Sequence, residues 1–314
     1  MNLWLANPRG FCAGVERAVR MVEELLDLSN APVFVRHEIV HNHSVVDGLK
    51  SRGAVFVEAT EEIPDGALAV ISAHGAAPQV HREVAHGRRV FDATCPLVTK
   101  VHLEVQAHAR AGRCVLLVGH RGHVEVEGTL GWYDNAAGGG IVVVESATEA
   151  ETVQVPDPSN VAYVTQTTLA VEATHRIVSV LRRRFPALVA PHRADICYAT
   201  QNRQDAVRAL AKLCQRVLVI GAPHSSNSVR MIEVAEESGA RAYLIESPAG
   251  IRSEWLDSVT DLGLSSSASA PEHLVQSTIA RLRTLVPELD VREFGRPEDI
   301  TFKLPTAIID MREL

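Results

Sequence analysis

Polar residues recur at regular intervals along this chain, each time at the end of a short aliphatic or β-branched run. A cysteine opens each of three series, a second polar residue follows after 28 or 29 positions, and a third follows 33 or 44 positions later. The nine residues are Cys12, His41 and His74, then Cys95, His123 and Thr167, then Cys197, Ser225 and Ser269. Parallel sheets of α/β units carry their ligand sites at the strand ends. The repeat therefore predicts an α/β fold of three similar units.

The predicted units cover residues 1–94, 95–196 and 197–281, and residues 282–314 form a C-terminal tail. Hydrophobic residues occupy 46 % of the 314 positions and charged residues 22 %, which is typical of a globular chain and excludes a disordered one. The net charge of −7 and the lack of long Lys/Arg runs argue against nucleic acid or a membrane surface as partner.

No apolar run approaches the ~18 residues that a membrane-spanning helix needs. The N-terminal apolar run is interrupted at Asn7, Pro8 and Arg9, which argues against a secretory signal. We therefore expect a cytoplasmic protein without a membrane segment, whose cysteines form no disulfides.

The five cysteines fall into two groups by context. Cys114 opens an apolar run and Cys214 follows a helical stretch, so both are predicted to be small buried hydrophobic residues. The other three open the series described above and stand at turns. These three are the main candidates for chemistry.

Three similar units in a closed arrangement would direct the three turn cysteines to a common centre. Burying a polar group without a partner costs roughly 1–3 kcal/mol, so a metal is the expected partner of such thiols. The chain lacks both the close cysteine pairs of most zinc sites and the clustered cysteines of bacterial ferredoxins. Three separated thiolates suit one [4Fe–4S] cluster per chain, with the fourth iron open. A zinc ion on three cysteines, or a fourth ligand from Cys114 or Cys214, remains an alternative.

The other polar residues at the predicted strand ends carry hydroxyl, amide and imidazole groups, and few Lys or Arg residues stand among them. Such groups and helix N-termini bind phosphate oxygens, and imidazole becomes a cationic donor when it is protonated. We interpret these residues as one anion site formed by His41, His74, His123, Thr167, Ser225, Ser226, Asn227 and Ser269. The run Ser225–Ser228 is also typical of a helix cap.

A carboxylate near the anion could relay protons if burial raises its pKa. In an extended segment, His123, Glu125 and Glu127 would lie on one side. We select Glu125, which is nearest to His123, as the proton donor. Glu127 is the alternative, and either could be an ordinary exposed carboxylate.

At these residues the sequence resembles the family of 4-hydroxy-3-methylbut-2-enyl diphosphate reductases, which catalyse the last step of the non-mevalonate isoprenoid pathway. The resemblance spans residues 7 to about 272, and the order and spacing of its motifs make it specific. The matching segments are Asn7–Ala18 (NPRGFCAGVERA), His37–Asn42 (HEIVHN), Ser72–Gly75 (SAHG), Asp92–His102 (DATCPLVTKVH), Gly119–Gly131 (GHRGHVEVEGTLG), Thr165–Leu169 (TQTTL), Asp195–Arg203 (DICYATQNR) and Ser225–Ser228 (SSNS). The final stretch, Arg296–Leu314, also resembles the family's tail.

The resemblance implies a pseudo-threefold trefoil of α/β units around a central [4Fe–4S] cluster held by Cys12, Cys95 and Cys197. It implies that the histidines, serines and asparagine of the anion site hold a diphosphate. Thr167 would contact the substrate near its hydroxyl, and Glu125 would supply protons. The substrate would be an allylic diphosphate that is reductively dehydroxylated to isopentenyl or dimethylallyl diphosphate. Ferredoxin or flavodoxin would donate the electrons.

Two positions depart from the family pattern. Ser267 stands where the family usually has glycine, and we expect strain there if the loop needs a positive φ. His224 replaces the asparagine common before Ser-Ser-Asn, and it would alter the entry to that loop or add pH-dependent charge. Two other functions remain open: a hydro-lyase with an open iron, and a non-catalytic iron–sulfur sensor that binds a diphosphate.

Overall fold

Strands and helices alternate along the computed structural model, which describes residues 1–29 and 31–312. Within these residues the strands are β1 (Asn2–Asn7), β2 (Val33–Arg36), β3 (Ala54–Val57), β4 (Leu68–Ile71), β5 (Arg89–Asp92), β6 (Cys114–Val118), β7 (Ile141–Val144), β8 (Val161–Thr165), β9 (Arg216–Ile220), β10 (Arg241–Ile245), β11 (Asp261–Ser266) and β12 (Asp290–Gly295). The helices are α1 (Ala13–Leu28), α2 (His43–Ser51), α3 (Pro78–Ala85), α4 (Pro96–Arg110), α5 (Val124–Leu130), α6 (Ala147–Thr152), α7 (Val171–Arg184), α8 (Tyr198–Leu213), α9 (Ser226–Glu237), α10 (Glu272–Leu285) and α11 (Thr306–Arg312). Glu313 and Leu314, the end of the predicted tail, lie outside the described residues.

The pairings between these strands are parallel, and they form three sheets. Strands of parallel sheets are covered on both faces and therefore carry near-continuous apolar runs. Strands β6 and β8 follow this rule, since each of their residues is buried. The predicted α/β class is confirmed. Within the described chain, no helix combines the length and apolar character needed to cross a membrane.

The first compact unit comprises residues 1–16, 40–48 and 198–303. It contains the five-stranded sheet β10-β9-β11-β1-β12, whose core includes Leu5 and Leu264. Strand β1 lies between β11 and β12 and pairs with both. The N-terminal strand thus shares a sheet with strands of the predicted third unit and tail. The predicted domain boundaries stay predictions.

The second compact unit comprises residues 17–39, 49–197 and 304–314 and contains the sheets β3-β2-β4-β5 and β7-β6-β8. Alternate residues of β6 enter two different cores. One core receives Val105 from α4, and the other receives Leu181 from α7. This two-sided cover explains why β6 contains no polar residue.

Cys114 and Cys214, which the sequence predicts to be buried, both lie in apolar cores. Cys114 belongs to the α7-side core of β6, and Cys214 packs with Leu210 and Val217 in the first unit. Both are almost fully buried. The prediction that they are small buried hydrophobic residues is confirmed.

Candidate functional site

Each of the three turn cysteines stands directly before a helix and is anchored through its backbone. Their N–H groups donate to carbonyl groups at the end of a neighbouring segment of the same compact unit. The bonds are Cys12 N to Ala268 O (3.2 Å), Cys95 N to Ala73 O (3.0 Å) and Cys197 N to Thr167 O (3.0 Å). Cys197 is thus bonded to Thr167, the third residue of the second series, whereas Cys95 and Cys12 are bonded to the residues directly before His74 and Ser269. The spacing in the sequence did not reveal this relation.

The thiols of the described chain divide by burial. Burial raises the pKa of Cys114, and it raises that of Cys214 to about 12, so both stay protonated at neutral pH. The three turn cysteines are half-buried, and none of the five forms a disulfide. Because only a thiolate ligates a metal well, the donor set fits a cluster held by three cysteines. The two buried thiols are poor candidates for a fourth ligand.

Glu125 is a buried carboxyl group held by a single residue, Thr167. Its Oε1 accepts a hydrogen bond from the Thr167 N–H at 2.6 Å, and its Oε2 accepts one from the Thr167 hydroxyl at 2.8 Å. Burial raises the pKa of Glu125 to about 7, and the charge of Asp195 acts in the same direction. The two bonds from Thr167 oppose this rise but do not cancel it. The carboxyl group therefore gains and loses a proton near neutral pH.

The segment that carries Glu125 is helical, which corrects the extended conformation considered from the sequence. In α5, side chains two positions apart point to nearly opposite sides. Glu125 is accordingly buried, whereas Glu127 is exposed and accepts a bond from the Gly122 N–H at 3.2 Å. Glu125 and Glu127 therefore lie in different environments, whereas an extended segment would have placed them on the same side.

His123 and His74 lie close together in the second unit. His123 caps α5, where its Nδ1 accepts the Glu125 N–H at 3.1 Å, so a neutral ring carries its proton on Nε2. The His74 Nδ1 lies 3.3 Å from the Ser72 hydroxyl. The two ring centroids are 6.3 Å apart. Both imidazoles thus have one nitrogen fixed by a local contact.

In the first unit, Ser225, Ser226 and Asn227 form the N-terminal turn of α9. Ser225 caps this helix by accepting the Ser228 N–H. Asn227 Oδ1 and Ser228 Oγ are buried and have no hydrogen-bond partner among the described residues. Buried polar atoms without partners are rare in folded proteins. The Ser228 hydroxyl can donate a hydrogen bond, and together with the N–H groups of the helix terminus it forms a cradle suited to an anion.

Ser269 is joined to His41 in the same unit, because its hydroxyl donates to the His41 carbonyl oxygen at 3.0 Å. Ser267 is fully buried, and its hydroxyl lies 3.4 Å from that of Ser269. The backbone of Ser267 does not have a positive φ. The condition for strain at Ser267 is therefore not met, because the loop does not adopt the conformation that favours glycine there.

Gly221 lies where a side chain would disturb the α9 terminus. A Cβ there would stand 2.2 Å from the Ser228 Oγ and 3.0 Å from the Ser267 Oγ. We expect Gly221→Ala to lower the free energy of unfolding by about 1–3 kcal/mol through overpacking and to weaken diphosphate binding. Thermal unfolding and calorimetry measure both. Gly48→Ala is the control, since nothing lies within 4 Å of its Cβ position. Equal melting temperatures of the two variants would contradict the prediction.

Asp195 is a site residue that the sequence analysis did not single out. It is buried; its Oδ2 accepts the Thr165 N–H at 2.8 Å and its Oδ1 lies 2.6 Å from the Lys100 Nζ. The bond from Thr165 holds the end of β8, the strand that leads to Thr167, against Asp195. The signal in the sequence that could have identified Asp195 was its position two residues before Cys197.

Arg203 supports the segment before Cys12 in a similar way. It is fully buried, donates to the Gly10 carbonyl oxygen at 2.7 Å and pairs with Glu298 at 3.1 Å. A buried ion pair costs desolvation energy and is weak evidence for stability, but these contacts hold the backbone at Gly10, two residues before Cys12. Two signals in the sequence were available: an arginine on the apolar face of a helical pattern, and its place at the end of the matching segment Asp195–Arg203.

Comparison with known proteins places the chain in one family. The profile of the LytB protein family matches residues 3–283. The chain is 53 % identical over 309 residues to a 4-hydroxy-3-methylbut-2-enyl diphosphate reductase of Hahella chejuensis, covering 98 % of both chains, and 51 % identical over 316 residues to that of Marinobacter nauticus, covering 100 % of both.

The solved structure of the E-1-hydroxy-2-methyl-but-2-enyl-4-diphosphate reductase from Plasmodium falciparum superposes with a TM-score of 0.92 at 34 % identity. It covers 99 % of this chain and 98 % of its own. The fold of that enzyme is therefore the fold of this chain, and the resemblance inferred from the motifs is confirmed. The chain belongs to the LytB family of 4-hydroxy-3-methylbut-2-enyl diphosphate reductases.

Proposed function

We propose that this chain reduces (E)-4-hydroxy-3-methylbut-2-enyl diphosphate to isopentenyl diphosphate and dimethylallyl diphosphate. The substrate takes up two electrons and two protons, loses its hydroxyl group as water, and keeps its diphosphate. The observation that carries the proposal is the buried Glu125 carboxyl group, whose pKa is raised to about 7 and which is bonded twice to Thr167. A dehydroxylation at neutral pH needs such a proton donor.

Enzymes of the LytB family are iron–sulfur proteins. We propose that Cys12, Cys95 and Cys197 hold one [4Fe–4S] cluster, a set supported by their half-buried thiols and by the high pKa of Cys214. When bound, the cluster supplies single electrons and an iron site that lacks a protein ligand. The electrons come from ferredoxin or flavodoxin, which are one-electron donors.

The diphosphate is bound by neutral donors and imidazoles rather than by Lys or Arg. The proposed residues are His41, His74, His123, Ser225, Ser226, Asn227 and Ser269. The cradle at the α9 terminus supports this assignment, because the buried Ser228 hydroxyl, which can donate to an anion, has no hydrogen-bond partner within the described chain. An anion there gains from the helix dipole as well as from hydrogen bonds.

Thr167 and Glu125 form the proposed proton path. When Glu125 is protonated, its O–H donates to the Thr167 hydroxyl, which turns its own proton toward the substrate hydroxyl. The distance of 2.8 Å between the two oxygens is that of a direct hydrogen bond. Thr167 therefore orients the substrate hydroxyl, and Glu125 supplies the proton that leaves with it as water.

An anaerobic assay of the cluster-loaded protein tests the function. It follows the optical reoxidation of a one-electron donor with and without (E)-4-hydroxy-3-methylbut-2-enyl diphosphate. Substrate-dependent reoxidation with release of the two product diphosphates supports the reductase. Turnover that needs no reductant would instead identify a hydro-lyase, and binding without turnover would identify a sensor.

Diphosphate affinity is expected to weaken as the pH rises through the histidine range. The proposed site contains three imidazoles, and only their protonated forms compensate the charge of the anion. Calorimetry with inorganic diphosphate from about pH 6 to about pH 9 measures this, after correction for ionisation of the ligand. An affinity that does not change across the range would contradict the prediction.

A further inference from the structure

We propose that His43 and His224, with Glu246 behind them, form a site for a borderline divalent metal ion such as Zn²⁺ or Ni²⁺. The site uses none of the three turn cysteines and does not depend on the proposed reductase activity. All three residues belong to the first compact unit.

The two imidazoles are brought together from distant parts of the chain. His43 is the first residue of α2, and His224 immediately precedes Ser225, the cap of α9. The ring centroids are 4.8 Å apart at an interplanar angle of 39°. Ring nitrogens of the two residues lie within 4.8 Å of each other. A tetrahedral Zn²⁺ at about 2.0–2.1 Å from each nitrogen separates them by about 3.4 Å, so a small rotation of these exposed side chains closes the site.

Glu246 gives His43 the orientation of a metal ligand. Its Oε1 lies 2.9 Å from the His43 Nδ1, where a protonated Nδ1 donates to the carboxylate. With the Nδ1 proton directed to Glu246, Nε2 is the nitrogen that would ligate the ion. A carboxylate behind the imidazole is the usual support of a metal-bound histidine, because it fixes the tautomer and raises the basicity of the ligand.

The chemistry of the donors selects the class of ion. Imidazole suits Zn²⁺, Ni²⁺ and related ions, whereas Mg²⁺ prefers oxygen ligands and retains its water. The His43 side chain is 57 % exposed and that of Glu246 is 46 % exposed, so an ion reaches the site from solvent and water completes its coordination. An exposed His–Glu pair alone would contribute little to stability.

The location links this ion to the proposed diphosphate site. The His224 ring lies 5.2 Å from that of His41, and its neighbour along the chain is Ser225. An ion held by His43 and His224 would tie the start of α2 to the loop before α9. Two segments that carry proposed diphosphate residues would thereby be restrained together.

Titration calorimetry of the cluster-loaded protein with ZnCl₂ tests the proposal, with the cluster absorbance followed to verify that the cysteines stay occupied. We expect one ion per chain and no binding of MgCl₂. His43→Ala and His224→Asn should weaken Zn²⁺ binding at least tenfold, and Glu246→Gln, which keeps the size of the side chain, about tenfold. His175→Ala, at an exposed histidine of α7, is the matched control and should bind as the unmodified protein does.

Two results would overturn the assignment. One is the absence of Zn²⁺ binding at millimolar concentration with the cluster intact. The other is binding that His43→Ala, His224→Asn and Glu246→Gln leave as strong as in the control. Unchanged melting temperatures of the variants, measured in parallel, establish that a weaker affinity reflects lost ligands rather than lost folding.

Discussion

Glu125→Gln is expected to lower kcat by a factor of roughly 10²–10⁴, the usual contribution of a general acid, while the cluster and diphosphate binding are retained. The glutamine amide keeps both contacts with Thr167, since its oxygen accepts the N–H and its NH₂ group donates to the hydroxyl. Only the acidic proton of the carboxyl group is lost. Single-turnover kinetics and calorimetry separate the loss of chemistry from a loss of binding.

Glu127→Gln is the matched control for this variant, because Glu127 lies in the same helix but is exposed. We expect it to keep the turnover of the unmodified chain. A normal rate in Glu125→Gln, or an equal loss in the two variants, would remove the proposed proton path.

The same carboxyl group sets the direction of the pH dependence. Its pKa is raised to about 7 by burial, so its protonated fraction falls as the pH rises through that value. The kcat of the unmodified chain should therefore decline above about pH 7. A kcat that stays constant well above neutral pH would contradict the role of Glu125 as the acid.

Cys12→Ser, Cys95→Ser and Cys197→Ser are each expected to abolish activity and to lower the iron content of the reconstituted protein. A serine hydroxyl stays protonated at neutral pH and is a far weaker ligand for iron than a thiolate. Iron analysis, the visible absorbance of the cluster and the anaerobic assay measure the effect. Each substitution leaves the backbone N–H bond of its position in place.

Cys114→Ala is the control for loss of a thiol. Its side chain is buried in an apolar core, so removing the sulfur costs about 1–2 kcal/mol of stability and leaves the iron content unchanged. If Cys114→Ala lost the cluster while one of the three serine variants kept it, the proposed ligand set would be incorrect.

Local pattern was sufficient to predict the strand ends and the residues that stand on them. Apolar runs such as β6 are buried on both faces, and the polar residue that follows a parallel strand lies at its carboxyl end. The predicted roles of Cys114 and Cys214 followed from the same reasoning. These features depend on sequence neighbours alone, which is why the sequence reveals them.

Features that depend on which segments become neighbours were not predictable. The bond from Cys12 to Ala268 requires β1 to lie beside β11, and no local pattern encodes that choice. The burial of Asp195 likewise depends on Lys100, which is distant in sequence. The alternating Val and Glu residues of α5 resembled a strand because a short segment does not distinguish the two periods.

The pairing of β1 also has a consequence for the order of events during synthesis. The ribosome releases Cys12 long before its anchor Ala268, which lies 256 positions later in the chain. At 5–20 residues per second the delay is about 10–50 s. Cys95 has no such delay, because its anchor Ala73 precedes it in the chain and is synthesised first. Among the three cysteines proposed to hold the cluster, Cys12 is therefore the first to be synthesised and the last to gain its backbone anchor.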